Sequence, residues 1–188
     1  GEKYDAYRKA YRDYIVEIQK LAGIADAEAK ADRIIALETE IAKVHWTPEK
    51  SRDVDAIYNP MDRAKLNALA PQFQWDRALA RLGLSNASQI VVGQTDAIAN
   101  QGKLFESVPL DTWKDWTAFQ FVSANAQYLP KAFDDARFNF YSKTLSGVQT
   151  KRDRWKRGVD LVNDVLGEGV GEIYVKRHYP AESSRQMG

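Results

Sequence analysis

A period of three and four residues runs through most of this chain, and it leaves little room for a sheet. Tyr4, Tyr7, Tyr11, Tyr14, Ile18 and Leu21 fall on one face of a helix, with Lys3, Arg8, Asp13 and Glu17 on other faces. Gly23 predicts the stop. Asp26 precedes a second helix whose stripe is Ala27, Ala31, Ile34, Leu37, Ile41 and Val44. Two such helices joined by a few residues predict an antiparallel hairpin. Thr47-Pro48 points to a short helix. Asn59-Pro60 reads as a further start: Asn59 can cap the next amides, Pro60 suits a first helical position that needs no N–H, and Asp62 adds negative charge to the first turn. That helix is expected to end near Pro71, and "WDRALARLG" predicts a short one ending at Gly83. Only "SQIVVGQ" reads as a strand. It is too short to build a sheet alone, and predicts an isolated extended segment or one half of a small ribbon.

Pro109 and Asp111 open a long helix with two apolar stripes. Leu110, Trp113, Thr117, Phe121, Ala124 and Tyr128 make one; Trp116, Phe119, Val122, Ala126 and Leu129 make the other. A helix apolar on two sides is usually sandwiched between others. Pro130 starts the next helix, with Phe133, Ala136 and Phe140 inward and an end near Gly147, and a last helix carries Trp155, Val159, Val162 and Leu166. There is no 34-residue repeat of the tetratricopeptide kind. The expectation is an all-α fold, a multi-helix bundle of about eight helices with at most one short extended segment or ribbon, forming a single domain over 1–188.

Bulk properties narrow the function classes. With a net charge of +1, no strong field points to nucleic acid or an anionic membrane. The absence of cysteine rules out disulfides and thiolate metal sites. No apolar run approaches the roughly 18 residues that cross a bilayer. The opening "GEKYDAY" has neither a methionine nor a signal segment, which suggests an excised or processed piece.

Four features invite a catalytic or binding role. His45 and His178 lie far apart and outside any H-E-x-x-H, so each is expected to be structural. Glu168 and Glu172 are one helical turn apart; such a pair can do acid–base work or hold a metal, but it equally makes an exposed face, and no histidine joins it. Gly167, Gly169 and Gly171 spell G-x-G-x-G, yet a helix precedes them where a phosphate loop needs a strand. Close helix approach or a helix break near Gly167 is the alternative. "KRDRWKR" sets Arg152, Arg154 and Arg157 around Trp155, where base stacking with phosphate contacts competes with a solvated basic face and a buried Trp155. No catalytic, cofactor-binding or metal-ligating residue is assigned in this chain.

Spaced motifs supply what periodicity does not. "YNPM" at Tyr58–Met61 and "PQFQW" at Pro71–Trp75 resemble the Y-N-x-M … F-x-W segment of the neprilysin-like zinc endopeptidases, the group that includes endothelin-converting enzyme and bacterial PepO. The resemblance continues through "VPLDTWKDW", "AQYLPKAF", Phe140 and "LSGVQTKRDRWKRGVDLVNDVLGEGVGEIYVKRHYP". Within the last stretch, Gly147, Arg154, Trp155, Gly171, Tyr174 and Val175 match, and Tyr179 replaces the usual phenylalanine. The motifs cover about two-thirds of the chain; the first two helices fit by pattern only.

The resemblance implies a helical cap domain, a fragment of a larger peptidase that covers a thermolysin-like catalytic domain and restricts substrates to peptides. The family's H-E-x-x-H and its third zinc ligand lie downstream of Gly188, so the resemblance implies no cofactor in this chain and zinc in the parent. It also implies a missing carboxy-terminal catalytic domain as partner, peptide substrates in the parent, no nucleic acid, no membrane segment here, and a periplasmic or extracellular setting. Gly158 stands near where animal members carry a cysteine, which suggests a bacterial parent whose cap is held by packing alone. On this reading Trp155, Val159, Val162, Tyr174 and Val175 are core, and the nearby glycines allow close helix approach. The alternative is a free-standing all-α module that binds a protein or peptide.

Overall fold

In the computed structural model the helical period is realised, among the described residues, in nine α-helices. The structure describes residues 1–179 and Arg185; Pro180, at the end of the last matching motif, lies outside the described residues. The chain divides into two compact units, Gly1–Leu145 and Ser146–Gly188.

The first unit begins with the expected hairpin, α1 (Glu2–Leu21) and α2 (Ala27–Val44). Gly23 takes φ +71° in the link, the left-handed conformation that a side chain would resist. A 3-10 turn at Lys50–Arg52 and the short α3 (Val54–Ile57) follow; Asp53 caps α3 by accepting from the amides of Asp55 and Ala56.

The expected helix start at Asn59-Pro60 is instead a strand. β1 (Asn59–Met61) pairs antiparallel with β2 (Ile90–Val92), in the register Asn59↔Val92, Pro60↔Val91, Met61↔Ile90. Pro60 donates no ladder bond, and a two-stranded ribbon, being all edge, tolerates that. Asn59 serves as a clip, its amide donating to the carbonyls of Ala56 (2.7 Å) and Val92 (3.1 Å). The true cap lies three residues on: Asp62 accepts from the Lys65 amide at 2.8 Å and starts α4 (Arg63–Leu69). "SQIVVGQ" thus supplies half of a ribbon whose other half the sequence reads as helix.

Next come α5 (Trp75–Arg81), α6 (Thr95–Ser107), α7 (Leu110–Asn125) and α8 (Lys131–Arg137). Of these, α6 has no counterpart among the sequence expectations. A π-helical segment, Phe138–Leu145, continues α8, and within it Thr144 Oγ1 donates to the Asn139 carbonyl five residues back at 2.8 Å.

Two cores hold this unit. The larger gathers Tyr14, Ile15, Ile18, Ala31, Ile34, Phe119, Ala126, Ala136 and Phe140, all buried. Its centre is aromatic: the Tyr14 ring stacks on Phe140 at 5.1 Å and meets Phe119 edge-on at 6.0 Å. The Tyr14 hydroxyl is satisfied by Ser123 Oγ at 2.7 Å. Beside it, Glu38 Oε1 accepts from the Tyr11 hydroxyl, Trp116 Nε1 and Gln120 Nε2, at 3.0, 3.1 and 2.7 Å. Burial pushes the Tyr11 phenol well above its ordinary pKa and the Glu38 carboxylate adds to the rise, so Tyr11 stays a donor at any physiological pH. The smaller core sets Leu66, Leu79 and Val92 against Met61, Leu69, Trp75, Ile90 and Ile98.

The second unit carries α9 (Arg154–His178), which leaves helical geometry at Leu166 (φ −122°, ψ 25°).

Truncating Phe119, which is fully buried, is expected to cost about 3–5 kcal/mol as Phe119→Ala, against about 1 kcal/mol for Tyr14→Phe, which removes one hydroxyl bond. Urea unfolding followed by tryptophan fluorescence checks both.

Candidate functional site

The residues singled out for chemistry do not assemble. His45 ends α2, and both ring nitrogens are engaged: Nδ1 donates to Gln94 Oε1 at 3.3 Å and Nε2 accepts from Gln101 Nε2 at 3.2 Å. The same Gln94 oxygen accepts the Trp46 amide at 3.1 Å. Lys50 donates to Asp96 at 3.2 Å and lies 3.8 Å from the centre of the Trp46 ring, while Trp46 Nε1 also donates to Asp96. The Trp46 hydrogen bond holds the Asp96 carboxyl below its ordinary pKa, with Lys50 contributing. His45 therefore helps fasten the end of α2 to the start of α6. His178 lies in the last turn of α9 with its ring 5.0 Å from that of Tyr174.

Glu168 and Glu172 share a face of α9, and Glu172 accepts from Lys176 at 2.5 Å. Among the described residues, no three histidines or acids come together to hold a metal ion. Two basic residues of the run are ion-paired within its own unit, Arg152 with Asp160 and Lys156 with Asp153 at 3.0 Å.

Two expectations for α9 are corrected. Trp155 is not core but 67% exposed, and Val159, Val162, Tyr174 and Val175 are exposed with it. Apolar spacing marks a face suited to burial; it does not guarantee that its own unit supplies the partner. Nor do the glycines permit close approach, since at Gly158, Gly167, Gly169 and Gly171 an added Cβ would meet nothing within 4 Å. Gly167 follows the break at Leu166, and G-x-G-x-G lies inside a helix, without the strand a phosphate loop requires. A glycine that does permit contact is Gly102 in α6, where a Cβ would stand 2.5 Å from Gln72 Oε1.

What the first unit offers is surface for binding. On α7 one stripe is buried through Phe119 and Ser123, and Ala126, just past the helix, continues it. The other is mostly bare, with Leu110 exposed, Phe121 70% exposed and Tyr128, just past the helix, 58% exposed, while Trp113 in the same stripe is half-buried against Phe105 and Trp116. The expected sandwich is thus half complete. A second surface is a groove of about 600 Å³ at α5 and α6, walled by Phe73, Trp75, Ala78 and Phe105 and flanked by Arg77 and Arg81. "PQFQWDRALAR" displays its aromatic and basic residues in the sequence. Phe105 comes from α6, and nothing local links it to them.

Ion pairs tie α7, which carries the first of these surfaces, to α2. Asp115 on α7 accepts from Lys30 (3.2 Å) and Arg33 (2.7 Å) on α2, with 14% of its side chain exposed. Burial pushes its carboxyl up, but the hydrogen bonds from Arg33 and Lys30 outweigh that and leave it below its ordinary pKa.

The family model of the Peptidase family M13 amino-terminal region matches residues 1–188. Neprilysin-2 of Drosophila melanogaster is 29% identical over 93% of this chain and 25% of its own length. Neprilysin-11 of Caenorhabditis elegans is 26% identical over 94% of this chain and 22% of its own. The open state of the Mycobacterium tuberculosis zinc metalloprotease ZMP1 superimposes with a TM-score of 0.93 at 36% identity, covering 100% of this chain and 30% of that one. Its inhibitor complex gives a TM-score of 0.90. The chain thus spans between a fifth and a third of the length of these proteins.

A carboxyl with a depressed folded-state pKa stabilises the fold above its unfolded value of about 3.9, and that contribution fades as pH falls through the folded value. Asp115→Asn is therefore expected to cost about 1–2 kcal/mol at pH 7 and progressively less as pH falls below about 3.9. Unfolding curves of both proteins at pH 7, 5, 3 and 2 check this.

Proposed function

This chain belongs to peptidase family M13, in its amino-terminal region, and from that premise we propose that it is the non-catalytic helical cap of a zinc metallopeptidase. In the longer protein the cap covers a separate catalytic domain and restricts entry to peptides. What chiefly supports this is the pairing of a match to the family's amino-terminal region over 1–188 with a superposition that covers only 30% of the mycobacterial protease. The histidines present do not fit a catalytic zinc, and no step of hydrolysis is assigned to this chain.

The outward stripe of α7 gives further support. A helix with one apolar face buried and the other bare is one whose second partner lies elsewhere. In the proposal that partner is the catalytic domain, seated over Leu110, Phe121 and Tyr128. The parent is proposed to be bacterial and to work in the periplasm or outside the cell, in keeping with the likeness to the mycobacterial protease.

The isolated chain is expected to retain no zinc on dialysis and to cleave no peptide. Stoichiometric zinc in elemental analysis would overturn the assignment. Translation of the gene beyond Gly188 is expected to reach H-E-x-x-H; a stop codon there would favour a free-standing interaction module. With the remaining polypeptide supplied in trans, Phe121→Asp is expected to weaken the complex at least about tenfold, read by calorimetry.

A further inference from the structure

The groove of the first unit has a composition that a passive wall does not require. Phe73 meets Trp75 edge-on at 5.3 Å and Phe105 at 5.7 Å, and Phe105 remains 47% exposed. These rings leave an open place for another aromatic side chain in the tilted or edge-on packing that aromatic groups favour. The walls are held in shape beforehand. Trp75 Nε1 donates to the Ala70 carbonyl at 2.9 Å, the Phe73 amide donates to the same oxygen at 3.2 Å, and Gln72 reaches α6 through Glu106 at 3.3 Å. A guest therefore meets a surface that needs little ordering on binding.

Charge identifies the guest. Arg77 and Arg81 stand one turn apart on α5, beside the rings. Arg77 donates only to the neutral Gln74 amide, at 3.3 Å, and among the described residues neither arginine has an ion-pair partner. The neighbouring Arg63, by contrast, is paired with Asp76 at 3.0 Å. Two unpaired guanidinium groups beside an aromatic slot complement carboxylates placed next to an aromatic residue. The volume, about 600 Å³, accommodates a few residues of an extended peptide.

We infer that this groove docks an acidic peptide segment carrying an aromatic residue, with the ring between Phe73, Trp75 and Phe105 and the carboxylates on Arg77 and Arg81. The site goes beyond the cap reading and does not rest on it, since every residue it uses lies in the first unit.

The test is fluorescence anisotropy of the full 188-residue chain with a labelled octapeptide of glutamates around two phenylalanines. Saturable binding that weakens with salt is expected. It is expected to fall at least about tenfold when the peptide's glutamates become lysines, and to weaken when its phenylalanines become alanines. In the protein, Phe105→Ala and the pair Arg77→Glu with Arg81→Glu are each expected to weaken binding about tenfold or more, and the charge-reversed protein is expected to prefer the lysine peptide. Arg8→Glu, on α1, is the control and is expected to change nothing. No saturation at millimolar peptide, equal binding of acidic and basic peptides, or indifference to charge reversal at Arg77 and Arg81 would overturn the inference. Should the double variant fail to fold, Phe105→Ala and the peptide substitutions decide alone.

Discussion

Tyr14 is the point on which the first unit turns. Its ring lies against Phe140 and Phe119 and meets Tyr141 edge-on at 5.5 Å, while its hydroxyl reaches Ser123, a residue 109 positions away in the chain. One side chain thus joins α1, α7 and the π-helical segment. Because the ring demands an apolar slot and the hydroxyl a polar partner, only a narrow range of helix orientations meets both demands. Glu38 repeats the device from α2, gathering donors from α1 and α7 onto a single carboxylate oxygen. Directional contacts of this kind fix a bundle in which generic apolar packing would permit sliding.

That stiffness suits the role proposed here. A cover over a peptidase chamber needs no reactive group; it needs persistent shape, a face for its partner, and an inner or outer wall of useful chemistry. Both polar networks lie inside or between helices, and the outer stripe of α7 hangs on an element that they hold still, whereas the aromatic groove is braced by its own bonds, from Trp75 to the Ala70 carbonyl and from Gln72 to Glu106. Structure and surface are in this way assigned to different residues: Phe119 and Ser123 hold α7 in place, and Phe121, two positions from each, is left facing outward.

Much of this was legible in the order of residues. The α1 and α2 stripes, the long α7 after Pro109 and the short α5 follow from local period and punctuation, and Gly83 and Gly147 take the positive φ expected of terminators, +73° each. Contacts distant in sequence were not legible. Asn59-Pro60 carries every local sign of a helix start, and only its pairing with Val92 makes it a strand. The segment that forms α6 holds Gly102 amid sparse apolar residues, so its period is faint; its packing against Gln72 and Ala70 explains the glycine. For Phe121 and Trp155 the sequence announced apolar faces correctly, but whether a face finds its partner within its own unit is a question of what else is present.

The π-helical turn at Phe138–Leu145 bears on how this chain is compared with others. Wound five residues back, it seats Phe140 and Tyr141, adjacent in sequence, against the same ring of Tyr14. Such a turn is an insertion the helix has swallowed: one residue more than regular winding would hold, with both ends left where they were. A helical wheel drawn straight through it falls out of phase beyond Phe138. Alignments to cousins wound regularly at this point need a single-residue gap inside an unbroken helix, a place where gaps are ordinarily penalised most.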